Sequence, residues 1–582
     1  MHKTKAHIIY NNEQHQNVIN ELEDGADLIA ENYTLYKSLA GENIKYLFKN
    51  VRYNGASEPF RAMHHLALNW YRDDYGEDLL YSNGISIGPM MTRRIIFAFC
   101  NDFRNYNALS YWLKKYEKIA IPEIHSESIQ RVSKVLGERL DVYKTSNNEN
   151  LNISSYSYKT SSPEITNLIN PRIHPLSRFA RLVQLPFLRF VKKKKKILYL
   201  YEWSSIGVAS KRTDILLGNS KYPWRGHYKF LHSDTIKSAE FCFPAVVNKK
   251  VASVDNIGAV MERIGVKWDH AVLQLFVNVI NYEYNSNRNV FIQNYAMYRE
   301  LLEYYEPEIL ILPGGTDYGN IIIAQVALEL GIKTMLLIDG YFSVYQSFDF
   351  FKDRTGKGFL FDTYFALGGA SKDFLLDLDM PAKQIQLIAP PIIDIHKTLN
   401  KKTNIKEKRY DVMILTYGTH FRNIYSPWDQ LIKIEVDILS LLQKFNFTDI
   451  AIKIKPPYEK QDRTEKIYRM LLKKNYGFDF KGKLHFVDDQ LYKVCDQARL
   501  IIGQVSTAVL ESYHLDVPFY IYEPYETGIS DEMIASAKIF SPDSVARTLG
   551  QLKKVIESGR ASVTESKDYL LDGPSLSSVK IY

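Results

Sequence analysis

Two apolar strands with a single helix between them constrain this chain more than any other stretch. The run Leu500 to Ile502 is apolar and leads into Gly503-Gln504-Val505-Ser506-Thr507. A helical pattern begins at Ala508, and the chain returns through Val517-Pro518 into Phe519-Tyr520-Ile521-Tyr522. Consecutive strands joined through a helix pair in parallel, and parallel sheets are covered on both faces. Ser506 or Thr507 stands where a helix N-cap belongs, and Glu511 lies one turn after Thr507 on the same face. Small hydroxyl residues at that junction present free N–H groups and the positive end of the helix dipole. Such chemistry suits a diphosphate or a phosphodiester.

The same alternation fills most of the chain. With 582 residues it exceeds one domain. Its 46% hydrophobic and 24% charged content allows a large core without disulfide or metal. Cys100, Cys242 and Cys495 are far apart and form no CxxC pair, so reduced thiols and a cytoplasmic setting are expected. The N-terminus has no long apolar run of the secretory type, and no apolar run reaches the length of a membrane span. The net charge of +8 fits anionic substrates or an anionic lipid surface. The 41 tyrosines, with abundant Lys and Asn, follow an AT-rich genome bias, and no nucleic-acid motif stands beside them, so no nucleic-acid partner is expected.

Four stretches follow from composition and periodicity. Residues 1–145 read as an N-terminal α/β unit, with strands at Ala6 to Tyr10, Arg94 to Phe99 and Lys118 to Pro122, and a helix from about Ser126 to Leu140. Residues 146–196 read as a linker, rich in Ser and Asn, that ends in a basic amphipathic segment. There Leu176, Phe179, Leu182 and Val183 alternate with Arg178 and Arg181, and Lys192 to Lys196 follow. Residues 174–196 suit peripheral contact with anionic lipid, or a packed helix followed by a solvated charge run; Pro186 argues against one long cylinder. Residues 197–399 form a second α/β unit, with helices from about Asn256 to Asn278 and Gln293 to Tyr304. A βαβ unit follows from Glu308 to Ile338. The polar run Asn400 to Arg409 reads as a hinge into a last unit, 400–582, with strands at Tyr410 to Leu415, Asp449 to Lys455 and Leu484 to Val487.

These features resemble nucleotide-sugar glycosyltransferases of bacterial surface-polysaccharide synthesis, of the capsule and Kdo-transferase type. The segment around Ser506, Thr507 and Glu511 resembles their donor segment, where hydroxyls hold phosphate and a helix Glu holds ribose. Phe365 to Gly369, Met380-Pro381 and Ala389-Pro390-Pro391 resemble the end of their acceptor domain. Gly331 to Gly340 resembles a segment that carries Gln-His in the family, with Ile338-Asp339 in its place here. Ile452 to Pro457 resembles their K-x-H-P strand end, with Lys453 and Pro456 matching and Lys455 at the His position. The resemblance covers about residues 300–550. It implies an α/β chain of two facing Rossmann-like domains, the GT-B architecture, with the N-terminal α/β unit added.

In open parallel sheets ligands bind beyond the carboxyl ends of the strands. Gly418 and Thr419, in the turn after Tyr410 to Leu415, allow close approach of backbone to donor phosphates; an ordinary βα turn is the plainer reading. Lys453 and Lys455 share one side of a strand and could neutralise leaving-group phosphate, or form a surface pair. Gln504 could read the sugar or the base. Asp317 and Asp339 each follow an apolar strand and are candidate general bases for an acceptor hydroxyl, although Asp317 also suits a helix cap. His420 is a weaker candidate, as is the loop of Glu202, Ser204, Ser205 and Gly207. Asp377-Leu378-Asp379 matches a D-x-D metal motif but precedes Met380-Pro381 near a helix end, which marks it as solvated surface.

The expectation is a metal-independent glycosyltransferase without cofactor. It would carry a sugar from a nucleotide-sugar donor to a growing, lipid-linked surface glycan at the cytoplasmic face of the inner membrane. CMP-, UDP- and GDP-sugars all remain open, with the resemblance favouring a CMP-linked acidic sugar. A nucleotide-sugar epimerase on the same fold and a non-catalytic scaffold of a polysaccharide assembly complex are the alternatives.

Overall fold

A computed structural model of the chain describes residues 3–9, 26–30, 44–46, 63, 66–73, 75, 77–122, 127–143, 197–199, 233–243, 251–313, 318–337, 352–353, 358–359, 361–377, 379–390, 408–415, 428–454, 465–489, 491–505, 508–524, 545–559, 569 and 573–574. The chain is α/β, and its described residues form three parallel sheets of five or six strands. The first contains β1 (Lys3–Ile9), β2 (Asp27–Ala30) and β3 (Lys45–Tyr46). A small antiparallel hairpin, β4 (Tyr81–Ser82) and β5 (Ile85–Ser86), precedes its last strands, β6 (Tyr116–Pro122) and β7 (Leu140–Tyr143). The order across this sheet is β3-β2-β1-β6-β7.

The second sheet takes β8 (Ile197–Tyr199), β9 (Ile309–Pro313) and β10 (Lys333–Leu337). After a two-stranded ribbon of β11 (Lys352–Asp353) and β12 (Gly358–Phe359), it gains β13 (Thr363–Leu367) and β14 (Ile385–Ile388). Its order is β14-β13-β10-β9-β8. The third sheet holds β15 (Tyr410–Leu415), β16 (Asp449–Lys453), β17 (Lys483–Val487), β18 (Ala498–Gly503), β19 (Phe519–Tyr522) and β20 (Val545–Ala546). Its order is β17-β16-β15-β18-β19-β20.

The first two sheets are joined by helices that share one apolar cluster. Helix α1 (Ile87–Leu113) and helix α2 (Glu127–Leu136) belong to the N-terminal unit. Helices α3 (Ser233–Cys242), α4 (Val254–Arg263), α5 (His270–Tyr305) and α6 (Tyr318–Glu329) precede or cross the second sheet. Phe99 of α1 packs edge-on to Phe276 of α5 at 5.0 Å and stacks on Trp268 at 5.1 Å. Polar contacts cross the same seam. Gln325 of α6 accepts from Ser86 N at 2.6 Å and donates to Ser86 O at 3.1 Å. The buried pair Arg131–Asp102 lies with the Arg131 guanidinium 4.5 Å from the Tyr282 ring centre of α5.

Two expectations are corrected here. Arg94 to Phe99 is not a strand but part of α1. Its β-branched and aromatic run mimics a buried strand, yet Met91, Ile95, Phe99 and Cys100 recur at helical spacing and are all buried. The helices expected at Asn256 to Asn278 and Gln293 to Tyr304 have other bounds. Gly265, at φ 72°, helps to separate α4 from α5, and α5 then runs unbroken for 36 residues. The Asn-rich stretch between the two expected helices is held within α5 by hydrogen bonds. Asn281 donates to Ala252 O at 2.9 Å, Asn287 donates to Glu283 O at 2.7 Å, and Arg94 donates to Asn287. Asp269 caps α5 by accepting from Val272 N at 2.8 Å.

Strands β9, β10 and β13 of the second sheet alternate between two clusters. Leu310, Leu336 and Tyr364 face the helical layer. Ile311, Leu337 and Phe365 join a second cluster that also contains Met413, Ala451, Ile501 and Phe519 of the third sheet. The opposite face of the third sheet packs with α8 (Trp428–Lys444) and its neighbours. In chain order the remaining helices are α7 (Gly369–Asp377), then α8, α9 (Glu465–Tyr476), α10 (Leu491–Val494), α11 (Ala508–His514) and α12 (Leu549–Ser558). Beyond α12 the chain returns to the second sheet: Pro574 O accepts from Ala389 N at 3.0 Å, and Tyr569 donates to Asp373 at 2.5 Å.

Phe276 is fully buried where α1 meets α5. Phe276→Ala should destabilise the chain by about 3–5 kcal/mol, through lost transfer energy and an uncollapsed cavity. Denaturant unfolding checks this; a midpoint equal to that of the wild type would contradict the shared helical layer.

Candidate functional site

Counted in its own sequence order, the third sheet runs 3-2-1-4-5-6. Its first strand, β15, sits beside β16 on one side and β18 on the other. The connections leaving β15 and β18 therefore diverge, which opens a crevice at their carboxyl ends. The register defines the edge of that crevice. Ile414 pairs with Ile452, Leu415 with Gly503, Lys453 with Val487 and Gly503 with Ile521. Val487, Lys453, Leu415, Gly503 and Ile521 thus form one row across the sheet.

Gly503 is required by close approach. A Cβ there would lie 2.3 Å from the carbonyl oxygen of Leu415. The next residue continues the contact, with Gln504 N donating to Leu415 O at 3.1 Å. Buried Glu523, one residue past β19, then takes over. Its Oε1 accepts from Val505 N at 2.9 Å and its Oε2 from Gln504 Nε2 at 3.3 Å. Glu523 N donates to Ala546 O at 2.9 Å, and Glu523 O accepts from Arg547 Nη1 at 3.1 Å. One acidic residue therefore ties together the ends of β18, β19 and β20.

Of the expected donor-side residues, Lys453 and Gln504 come to this edge. Lys453 is half-buried at the end of β16, and its Nζ donates to Ile454 O at 2.5 Å. It shares its strand face with Ala451, the face that packs towards the second sheet. Gln504 is buried, with its amide directed at Glu523. Glu511 lies within α11, and its side chain is outside the described residues. Also outside them lie Gly418, Thr419, His420, Lys455, Ser506 and Thr507, as do Asp317, Asp339, the Glu202 to Gly207 loop and residues 174–196. Asp377 ends α7, and exposed Asp379 follows in a left-handed turn at φ 63°. Among the described residues no group of three or more His, Cys, Asp or Glu is arranged to hold a metal ion, and no helix is long and apolar enough to cross a membrane.

Glu523 was not singled out by the sequence reading. Its signal is an acidic residue placed directly after the wholly buried strand Phe519–Tyr522. Burial pushes up the hydroxyl of Tyr520 in β19, one residue before this edge, and other displaced titrations lie further away. Burial pushes the Tyr295 hydroxyl up, helped by the neighbouring Cys242 and Glu329. Asp411, near the opposite end of β15, would be raised by burial, but N–H donation from Thr448 and Asp449 and the nearby Arg499 hold it below the usual aspartate range.

No protein-family model matches the chain, and no curated protein matches it. Solved structures do. The UDP-GlcNAc 2-epimerase of Methanocaldococcus jannaschii, in complex with UDP-GlcNAc and UDP, aligns at 12% identity and a TM-score of 0.39, over 66% of this chain and 96% of that one. A UDP-forming trehalose-phosphate synthase from Burkholderia xenovorans aligns at 11% identity and a TM-score of 0.34, over 62% of this chain and 90% of that one. Acinetobacter baumannii MurG aligns at 13% and 0.29, over 45% and 68%.

Gly503→Ala should cost about 1–3 kcal/mol or more, because its methyl group must displace backbone rather than a side-chain tip. Unchanged stability in chemical denaturation would contradict the close approach of β15 and β18.

Proposed function

We propose that this chain is a GT-B glycosyltransferase that uses a nucleotide-sugar donor, with the nucleotide held at the carboxyl edge of the third sheet. The observation that carries the reading is the strand order, which opens its crevice between β15 and β18. The sequence supplies phosphate-binding chemistry on both sides of that crevice: Gly418 and Thr419 after β15, Ser506 and Thr507 after β18. Lys453 stands in the same row and supplies positive charge for the leaving phosphate. Glu511 takes the ribose hydroxyls, and Lys455 adds to the charge at the end of β16.

The acceptor is a growing surface glycan, lipid-linked, and it meets the second unit. Asp339 or Asp317 removes the proton from its attacking hydroxyl as the sugar leaves the nucleotide. The reaction uses no metal and no cofactor. The basic segment 174–196 holds the enzyme at an anionic cytoplasmic membrane face. The sugar nucleotide is CMP-, UDP- or GDP-linked, and the family resemblance favours CMP.

Thermal-shift titration with CMP, CDP, UDP, GDP and ADP tests the donor site. A nucleotide at about a hundred times its Kd adds about 2.7 kcal/mol of stability, which raises the Tm visibly. Ser506→Ala combined with Glu511→Ala should abolish that shift while the Tm without ligand changes little. No shift with any nucleotide in the wild type would contradict the reading and favour a scaffold. Interconversion of a free UDP-sugar without acceptor would identify an epimerase instead.

A further inference from the structure

Glu523 has no part in the chemistry proposed above, yet it occupies the edge on which that chemistry depends. It is 1% exposed. Burying a carboxylate is costly, and an apolar residue of similar volume would fill the space at less cost. What an apolar side chain cannot do is accept two hydrogen bonds in fixed directions. Glu523 does this with Val505 N and Gln504 Nε2, the first backbone N–H and side-chain amide beyond the Gln504–Leu415 contact. Its own backbone is held on both sides, by Ala546 O and by Arg547. The carboxylate is therefore a fixed bracket, anchored on β19 and β20, that sets the course of the chain as it leaves β18.

We propose that Glu523 is a positioning residue for the nucleotide site: through Gln504 and Val505 it aims the chain that follows β18 at the phosphates of the bound nucleotide. The inference rests on the nucleotide-sugar reading of the same edge. Glu523 touches no ligand itself. Its effect falls on how well the loop is preorganised, and so on affinity.

The side-chain pair provides a directional test. In Glu523→Met both acceptors are removed, so neither Val505 N–H nor the Gln504 amide is held by this side chain. The double variant Gln504→Glu with Glu523→Gln instead keeps an acceptor for Val505 N–H and exchanges donor and acceptor in the side-chain pair. Kd values for UDP, GDP, ADP, CDP and CMP are measured by calorimetry on the full chain, with the Tm of each variant alongside. Glu523→Met should weaken the nucleotide that binds by about tenfold, and the double variant should bind it to within about threefold of the wild type. Affinity unchanged in Glu523→Met overturns the inference, and so does a double variant as weak as Glu523→Met. If Glu523→Met does not fold, the double variant and Gln504→Ala, which removes one arm of the bracket and leaves the Val505 bond, decide the matter. Gln504→Ala should then bind more weakly than the double variant, and equal affinities overturn the proposal. A wild-type chain that binds none of the five nucleotides fails at the earlier step, and takes down the nucleotide reading itself.

Discussion

A parallel sheet has no face to leave in water. The three large sheets among the described residues are parallel, and their covering explains most of the architecture. The second sheet is covered on one side by the helices around α5, which also serve the N-terminal unit, so the two units share an apolar core. Its other face lies in a cluster with one face of the third sheet. The alternation of Leu310 with Ile311, and of Leu336 with Leu337, between the two clusters is period-two geometry applied to a sheet buried on both sides.

The same constraint places the chemistry. Strands buried on both faces carry few polar side chains, so polar groups collect where the chain leaves the sheet. In the third sheet the ends of β15 and β18 come close enough to require glycine at position 503. Beyond that point the ladder gives way to side-chain bonds, and Glu523 supplies them. Lys453 ends the neighbouring strand at the same level, half-buried, on the face turned towards the second sheet.

Much of this was legible in the sequence. The strands Thr363–Leu367, Tyr410–Leu415 and Phe519–Tyr522 have the bounds expected from their apolar runs and flanking turn residues. The α/β class followed from the alternation of such strands with helical patterns. Two helices were harder to read. Arg94 to Phe99 has strand composition and lies in α1, because burial on several sides lets a helix tolerate residues that favour strands. In α5 the asparagines look like loop residues, but Asn281 and Asn287 find partners on a neighbouring element or within the helix. Tertiary partners of that kind leave no local trace. Glu523 follows a wholly buried strand, but its partners Gln504 and Val505 lie just past the end of β18, and one chain read alone does not show which strands are neighbours.

Hydrogen exchange on the full chain, with and without each of the five nucleotides, tests the central claim most directly. The account expects one nucleotide to slow exchange in peptides that cover the ends of β15, β16 and β18 and the turns that follow them, with little change in the N-terminal unit. Protection confined to the first sheet, or none anywhere with any nucleotide, would contradict it.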